Sequence, residues 1–139
     1  MGSNTENEDK IKDRFIHVLL VDDEYNIVLV NQMVLEQMGY IVKPAYGSRE
    51  ALSLIEESPE EIDVVITDYL MQEMNGIELA IEAKKYMPDT PFILYSGKAE
   101  FIDEKQIAEA GIVRVIIKPF KMKDLDIIIK DLLNKETSS

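Results

Sequence analysis

The chain has 139 residues, 46% of them hydrophobic and 30% charged, with a formal net charge of −12 and a pI near 4.5. A chain of that length holds one domain able to bury roughly two thirds of its unfolded surface, and its composition is that of an ordinary globular protein rather than a disordered or membrane-spanning one. The acidity opposes direct binding of nucleic acid, while the lack of cysteine and the single His17 exclude thiolate and histidine-rich metal sites, so any metal must be held by oxygen.

Residues 1–13 read as a polar tail, with Met1-Gly2-Ser3 as a cloning scar, and nothing in them has the form of a secretory signal. No apolar run is long enough to cross a bilayer, so the expected location is the cytoplasm. A first strand is predicted near 16–21 and ends at Asp22-Asp23. A helix over 26–38 follows, with Ile27, Val30, Val34 and Met38 recurring at helical spacing, and Gly39 ends it. The strand 41–45 leads into a helix that Ser48 is placed to cap, with Glu50 in its first turn, Ala51, Leu52 and Ile55 facing inward, and Pro59 beyond its end. Residues 64–67 form a β-branched run, as expected of a strand covered on both faces, and stop at Asp68.

Asn75-Gly76 opens a helix to about Met87, where Pro88 stops it. The strand 92–95 ends at Ser96-Gly97, and a shorter helix around 101–110 is stopped by Gly111. The strand 113–117 ends at Lys118. In the last helix, about 122–133, Leu125, Ile128, Ile129 and Leu132 face inward and Ile127 lies roughly opposite. The expected organisation is a domain over 14–134 flanked by tails at 1–13 and 135–139. Strands alternating with helices imply right-handed crossovers and an α/β, doubly wound, mostly parallel sheet of five strands with five helices.

In open sheets of this kind ligands bind outside the carboxyl ends of the strands. Asp22, Asp23, Asp68, Ser96 and Lys118 would all gather there. Each is ordinary by itself: adjacent aspartates suit turns, Ser-Gly is a common turn, and a lysine before proline is a common surface residue. Their joint placement at successive strand ends is what points to chemistry. Three aspartates held together repel, and without a cation at least one should have a raised pKa. All-oxygen ligation with few protein groups suits Mg²⁺. A carboxylate beside that ion can attack a phosphoryl group to form an aspartyl phosphate, with the ion and the Lys118 ammonium stabilising charge and Ser96 donating a hydrogen bond to the bound group.

On these residues the stretch 15–133 resembles a response-regulator receiver domain of two-component signal transduction, similar to the chemotaxis regulators. The resemblance, not the periodicity, supplies a flavodoxin-like strand order of 2-1-3-4-5. It implies that Asp22 and Asp23 hold Mg²⁺ together with Asp68 and the backbone carbonyl of Leu70, that Asp68 is the phosphoacceptor, and that Ser96 is the family's hydroxyl residue. Lys118-Pro119-Phe120 matches the family's Lys-Pro-Phe, and a cis peptide before Pro119 is implied. The function implied is a phosphoacceptor signalling module. It would take a phosphoryl group from a histidine kinase or histidine phosphotransfer protein, catalyse only its own phosphorylation and dephosphorylation, and change its partner surface. Tyr25, Leu29 and Met33 are expected to meet the phosphodonor protein, and the fourth and fifth helices with the strand between them to support self-association; neither a membrane nor nucleic acid is an expected partner. A stand-alone receiver and one excised from a larger regulator or hybrid kinase both stay open.

Two positions, Gln72 and Val115, depart from the family pattern. Gln72 stands where proline is frequent, which is expected to loosen its loop. Val115 stands where many receivers carry an aromatic ring that swings inward, so the state is expected to be reported through Ser96 and the loop into the helix at 101–110. Leu70 and Lys98 lie where side chains influence attack by water on the aspartyl phosphate, and leucine offers that water no hydrogen bond, which implies slow self-dephosphorylation. A phosphohydrolase of the haloacid-dehalogenase type is the alternative, but it needs a second aspartate where Leu70 stands. A flavin or dinucleotide binder would need a glycine-rich phosphate loop that is missing, and a scaffold that is never phosphorylated would not need the intact set of acids, hydroxyl and lysine.

Overall fold

Side chains on successive strand residues point to opposite faces of a sheet, and in this chain both faces are apolar. The computed structural model describes residues 15–97 and 102–138. Among them five parallel strands, β1 (His17–Val21), β2 (Ile41–Ala45), β3 (Val64–Asp68), β4 (Phe92–Ser96) and β5 (Ile112–Ile117), form one sheet in the order β2-β1-β3-β4-β5. The helices are α1 (Tyr25–Gln37), α2 (Ser48–Glu57), α3 (Gly76–Ala83), α4 (Glu104–Ala110) and α5 (Met122–Ser138), with a short 3₁₀ turn at Pro59–Glu61.

Val18, Leu20, Val64, Ile66, Ile93 and Tyr95 pack with Val28 and Leu35 of α1 and Leu125 and Ile129 of α5. Leu19, Val21, Val65, Phe92 and Leu94 pack on the opposite face with α2, α3 and Ala110 at the end of α4. Two helices therefore cover one face and three the other. Tyr40, just before β2, ties the first face together by donating its hydroxyl to the Asp126 carboxylate of α5.

Several elements differ from the sequence expectation for local reasons. α1 is rotated from its expected face: Val28 and Leu35 are fully buried, whereas Val30 is 57% exposed. Residues 27–30 and 33–35 are almost all apolar, so helical spacing alone does not select which line faces the sheet. Ser48 does not cap α2. It is the first residue of the helix and buried, and its hydroxyl donates to the Gln72 carbonyl at 3.2 Å. α3 is regular only to Ala83; Lys84, Lys85 and Tyr86 then donate to carbonyls three residues back, a tightened final turn before Pro88.

α4 begins at Glu104 because Asp103 caps it, accepting from the Lys105 amide at 2.9 Å. Phe101 and Lys98, to which expectations were attached, lie outside the described residues. α5 continues to Ser138, since 134–138 contain neither glycine nor proline to stop it. Ile127 is exposed on α5, as are Val113 and Ile117 on the edge strand β5. No described helix is long and apolar enough to cross a membrane.

Gly76 sets where α3 enters. Asn75 and Glu78 form a reciprocal capping box at its start, each side chain bonding the other's amide at 2.9 Å. A Cβ on Gly76 would lie 2.4 Å from the Asp68 carbonyl oxygen and 2.5 Å from Leu94 Cδ1, so only glycine lets the helix start directly against the end of β3.

Candidate functional site

Register brings the polar residues that end the strands together. Val21 pairs with Thr67, Asp68 with Tyr95 and Ser96 with Ile117, so the residues at and one step past these pairs share the carboxyl rim of the sheet. Backbone bonding continues one residue beyond the strands: Asp22 N donates to Ala45 O at 3.2 Å, Tyr69 N to Tyr95 O at 3.0 Å and Lys118 N to Ser96 O at 2.8 Å. The backbone beneath Asp22, Asp68, Ser96 and Lys118 is therefore anchored.

Asp22, Asp23 and Asp68 each offer a carboxylate oxygen within 4.8 Å of the others. Asp22 is fully buried, Asp68 nearly so and Asp23 exposed. Burying a carboxylate is costly unless donors replace its water, and each of the three has them. Asp22 Oδ1 accepts from the Glu24 amide at 3.0 Å and Oδ2 from the Tyr95 hydroxyl at 2.7 Å. Asp23 Oδ2 accepts from the Gln72 amide at 3.1 Å. Asp68 Oδ1 accepts from the Tyr69 amide at 2.9 Å and faces the Lys118 ammonium at 3.3 Å. The ammonium also lies 4.9 Å from the centre of the Tyr95 ring. Ser96 is buried at the end of β4, and the Lys118–Pro119 bond is cis.

Burial is the main reason the Asp68 carboxyl is pushed up to about 6, the negative charge of Asp22 adds to it, and Lys118 and the Tyr69 amide pull the other way. The Tyr95 phenol is pushed above its ordinary value by burial and then by the charge and hydrogen bond of Asp22, so it keeps its proton and acts as a donor. One ammonium against three carboxylates leaves a pocket of excess negative charge built wholly of oxygen donors. The chemistry of that set fits a hard divalent cation such as Mg²⁺, with Asp22, Asp23 and Asp68 as the side chains to hold it.

The expected aspartates and Lys118 thus meet, with Ser96 ending the strand next to β3. Leu70 sits in the same loop with its side chain 67% exposed. Val115 packs part-buried against the α2–α3 face, and His17 begins β1, at the opposite end from the acids. Two residues were misjudged or missed. Gln72 does not loosen its loop: its amide, which a proline would lack, ties the loop to Asp23, while its carbonyl accepts from Ser48. The neighbouring Glu73 adds an exposed ion pair with Arg49 at 2.6 Å. Apolar spacing marks Tyr95 only as the last residue of the strand 92–95 and gives it no role in the site. The signal for it was present, because in Phe-Ile-Leu-Tyr it is the sole side chain carrying a polar end.

Residues 18–130 match the family model described as the response regulator receiver domain. The chain is 36% identical over 119 residues to the sensor kinase CckA of Brucella abortus, an alignment covering 86% of this chain and 13% of that protein. It is 34% identical to the response regulator SaeR of Staphylococcus aureus, an alignment covering 86% of this chain and about half, 51%, of that protein. Among solved structures it is similar to a response regulator receiver domain protein from Clostridium thermocellum, with TM-score 0.82, 30% identity and coverage of 88% of this chain and 97% of that one. It is also similar to the response regulator TrrA of Thermotoga maritima in complex with Mg²⁺–BeF, with TM-score 0.73, 26% identity and coverage of 84% and 98%.

The position of the Asp68 titration has a consequence for stability. Its folded value of about 6 lies above the ordinary 3.8, so the protonated form favours the folded state. Stability from this group is present below the ordinary value and is lost as pH rises through the folded one. Asp68→Asn removes that loss. In Mg²⁺-free buffer at pH 7 the variant is expected to melt above the parent, with the gap closing toward pH 4, as followed by thermal melts; coincident midpoints at pH 7 would contradict the assignment.

Proposed function

The chain belongs to the response regulator receiver family of two-component signalling, and on that premise we propose that Asp68 accepts a phosphoryl group from a histidine kinase or histidine phosphotransfer protein in a Mg²⁺-dependent reaction. The observation that carries this reading is the approach of three carboxylates to within 4.8 Å with the Lys118 ammonium 3.3 Å from Asp68 Oδ1. Asp22, Asp23, Asp68 and the Leu70 carbonyl would hold the ion, which when bound neutralises the acid cluster and phosphoryl oxygens.

The remaining chemistry belongs to the protein's own groups. An ionised Asp68 oxygen bonds to phosphorus as the phosphorus–nitrogen bond of a phosphohistidine breaks, and the electron pair returns to the imidazole nitrogen. Lys118 offsets the charge of the acyl phosphate, whose roughly two negative charges replace the single charge of the ionised Asp68 carboxylate. The Ser96 hydroxyl donates to the phosphoryl group. The domain acts on itself rather than turning over a separate substrate, and the added charge is what alters its partner surface. Its place is the cytoplasm, where such donors act.

On α1 the exposed row Tyr25, Leu29, Val30 and Met33 is more apolar surface than a solvated helix needs, and the helix begins two residues after Asp23. We assign it to the phosphodonor protein. Leu70, exposed and without a polar group, leaves an attacking water unassisted, so the phosphorylated state is long-lived.

Incubation with a small acyl phosphate and Mg²⁺ is expected to add the mass of one phosphoryl group to the intact protein. Asp68→Ala, or chelation of the metal, should abolish the gain; modification that persists in the variant would remove Asp68 from its role. Leu70→Asn is expected to shorten the lifetime of the phosphorylated protein several-fold in a decay assay, and an unchanged lifetime would dismiss the account of the exposed leucine. Leu29→Glu is expected to slow transfer from a phosphorylated histidine phosphotransfer domain by about tenfold relative to transfer from a small donor, the effect of roughly 1.4 kcal/mol at an apolar contact. Equal slowing from both donors would place the defect elsewhere.

A further inference from the structure

We propose that Tyr95 is a positioning residue for the metal site, its phenol setting the Asp22 carboxylate and its ring seating the Lys118 ammonium; the inference rests on the Mg²⁺-dependent reading above. Tyr95 is buried on β4, with 1% of its surface exposed, between the acid pair and the lysine. Its hydroxyl lies 2.7 Å from Asp22 Oδ2 and 3.2 Å from the Val21 carbonyl oxygen. A buried phenol needing only a partner would be satisfied by that carbonyl. The shorter contact is instead to the carboxylate.

Asp22 is fully buried, so no water stands ready to replace a lost donor. Its other oxygen accepts from the Glu24 amide at 3.0 Å. Gripped at both oxygens, the carboxylate cannot turn without breaking one of these bonds. The orientation that brings it within 4.8 Å of Asp23 and Asp68 is therefore the one it keeps. Groups that hold a metal-binding carboxylate in this way set how much reorganisation binding requires, and removing them typically weakens metal binding about 10- to 100-fold.

The ring does separate work. Lys118 Nζ lies 4.9 Å from its centroid and 3.3 Å from Asp68 Oδ1, so the ammonium sits between an aromatic face and the acceptor carboxylate. Phe120 braces the ring at 5.7 Å between centroids, with an interplanar angle of 56°. One side chain thus touches both a carboxylate of the acid cluster and the cation that faces it.

Tyr95→Phe removes a single oxygen and keeps the ring. Mg²⁺ titrated calorimetrically into parent and variant, each shown to be folded by circular dichroism, is expected to bind the variant about tenfold more weakly. The accompanying deficit in phosphorylation by a small acyl phosphate should recover as Mg²⁺ is raised. A parent that binds no Mg²⁺ would overturn the underlying reading; a parent that binds it while Tyr95→Phe binds equally well or better would overturn the role of Tyr95 alone. Tyr95→Leu removes the ring too and is expected to phosphorylate more slowly than Tyr95→Phe even at saturating Mg²⁺, and equal rates would remove the seating of Lys118 from the proposal.

Discussion

The parallel sheet forces Asp22, Asp23 and Asp68 to share a space in which carboxylates repel one another, and the rest of the site is arranged around that repulsion. Water, the usual screen, is excluded from Asp22 and largely from Asp68. Backbone amides from Glu24, Tyr69 and Gln72, the Tyr95 phenol and the Lys118 ammonium stand in its place. They hold the acids in position without cancelling their charge, and burial, with the charge of Asp22 added to it, keeps the Asp68 carboxyl well above the ordinary aspartate range. The chemistry of such a pocket, all oxygen donors with excess negative charge, fits a hard divalent cation.

The same interactions tie the site to the rest of the molecule. Gln72 links the loop after β3 to Asp23 on one side and to Ser48 at the start of α2 on the other. Gly76 lets α3 begin directly against the Asp68 carbonyl, so the helix starts beside the acceptor residue's backbone. On the opposite face of the sheet, Tyr95 and Phe120 connect the acids to the cluster under α1 and α5. Both faces of the sheet are thus coupled to one rim. Val115, lacking a ring, packs part-buried with the α2–α3 face and offers no large side chain to move.

α1 divides its apolar side chains between the core and solvent. Val28 and Leu35 serve the core, while Tyr25, Leu29, Val30 and Met33 stay exposed.

The fold class, the number and order of elements along the chain and the identity of the acids, hydroxyl and lysine were legible in the sequence, because apolar periodicity and strand-end position are local properties. The helix starts at Tyr25 and Glu104, the face of α1 and the end of α5 were not, since a run of apolar residues suits more than one rotation and caps compete locally. The roles of Gln72 and Tyr95 were hidden for a different reason. Both act through contacts to residues 49 and 73 positions away, Gln72 to Asp23 and Tyr95 to Asp22. Composition and spacing along the chain determined which groups are present at the rim. Only the tertiary structure decided how they are held, because the distance between an amide or a phenol and the carboxylate it orients depends on strand register and loop path, which no local pattern encodes.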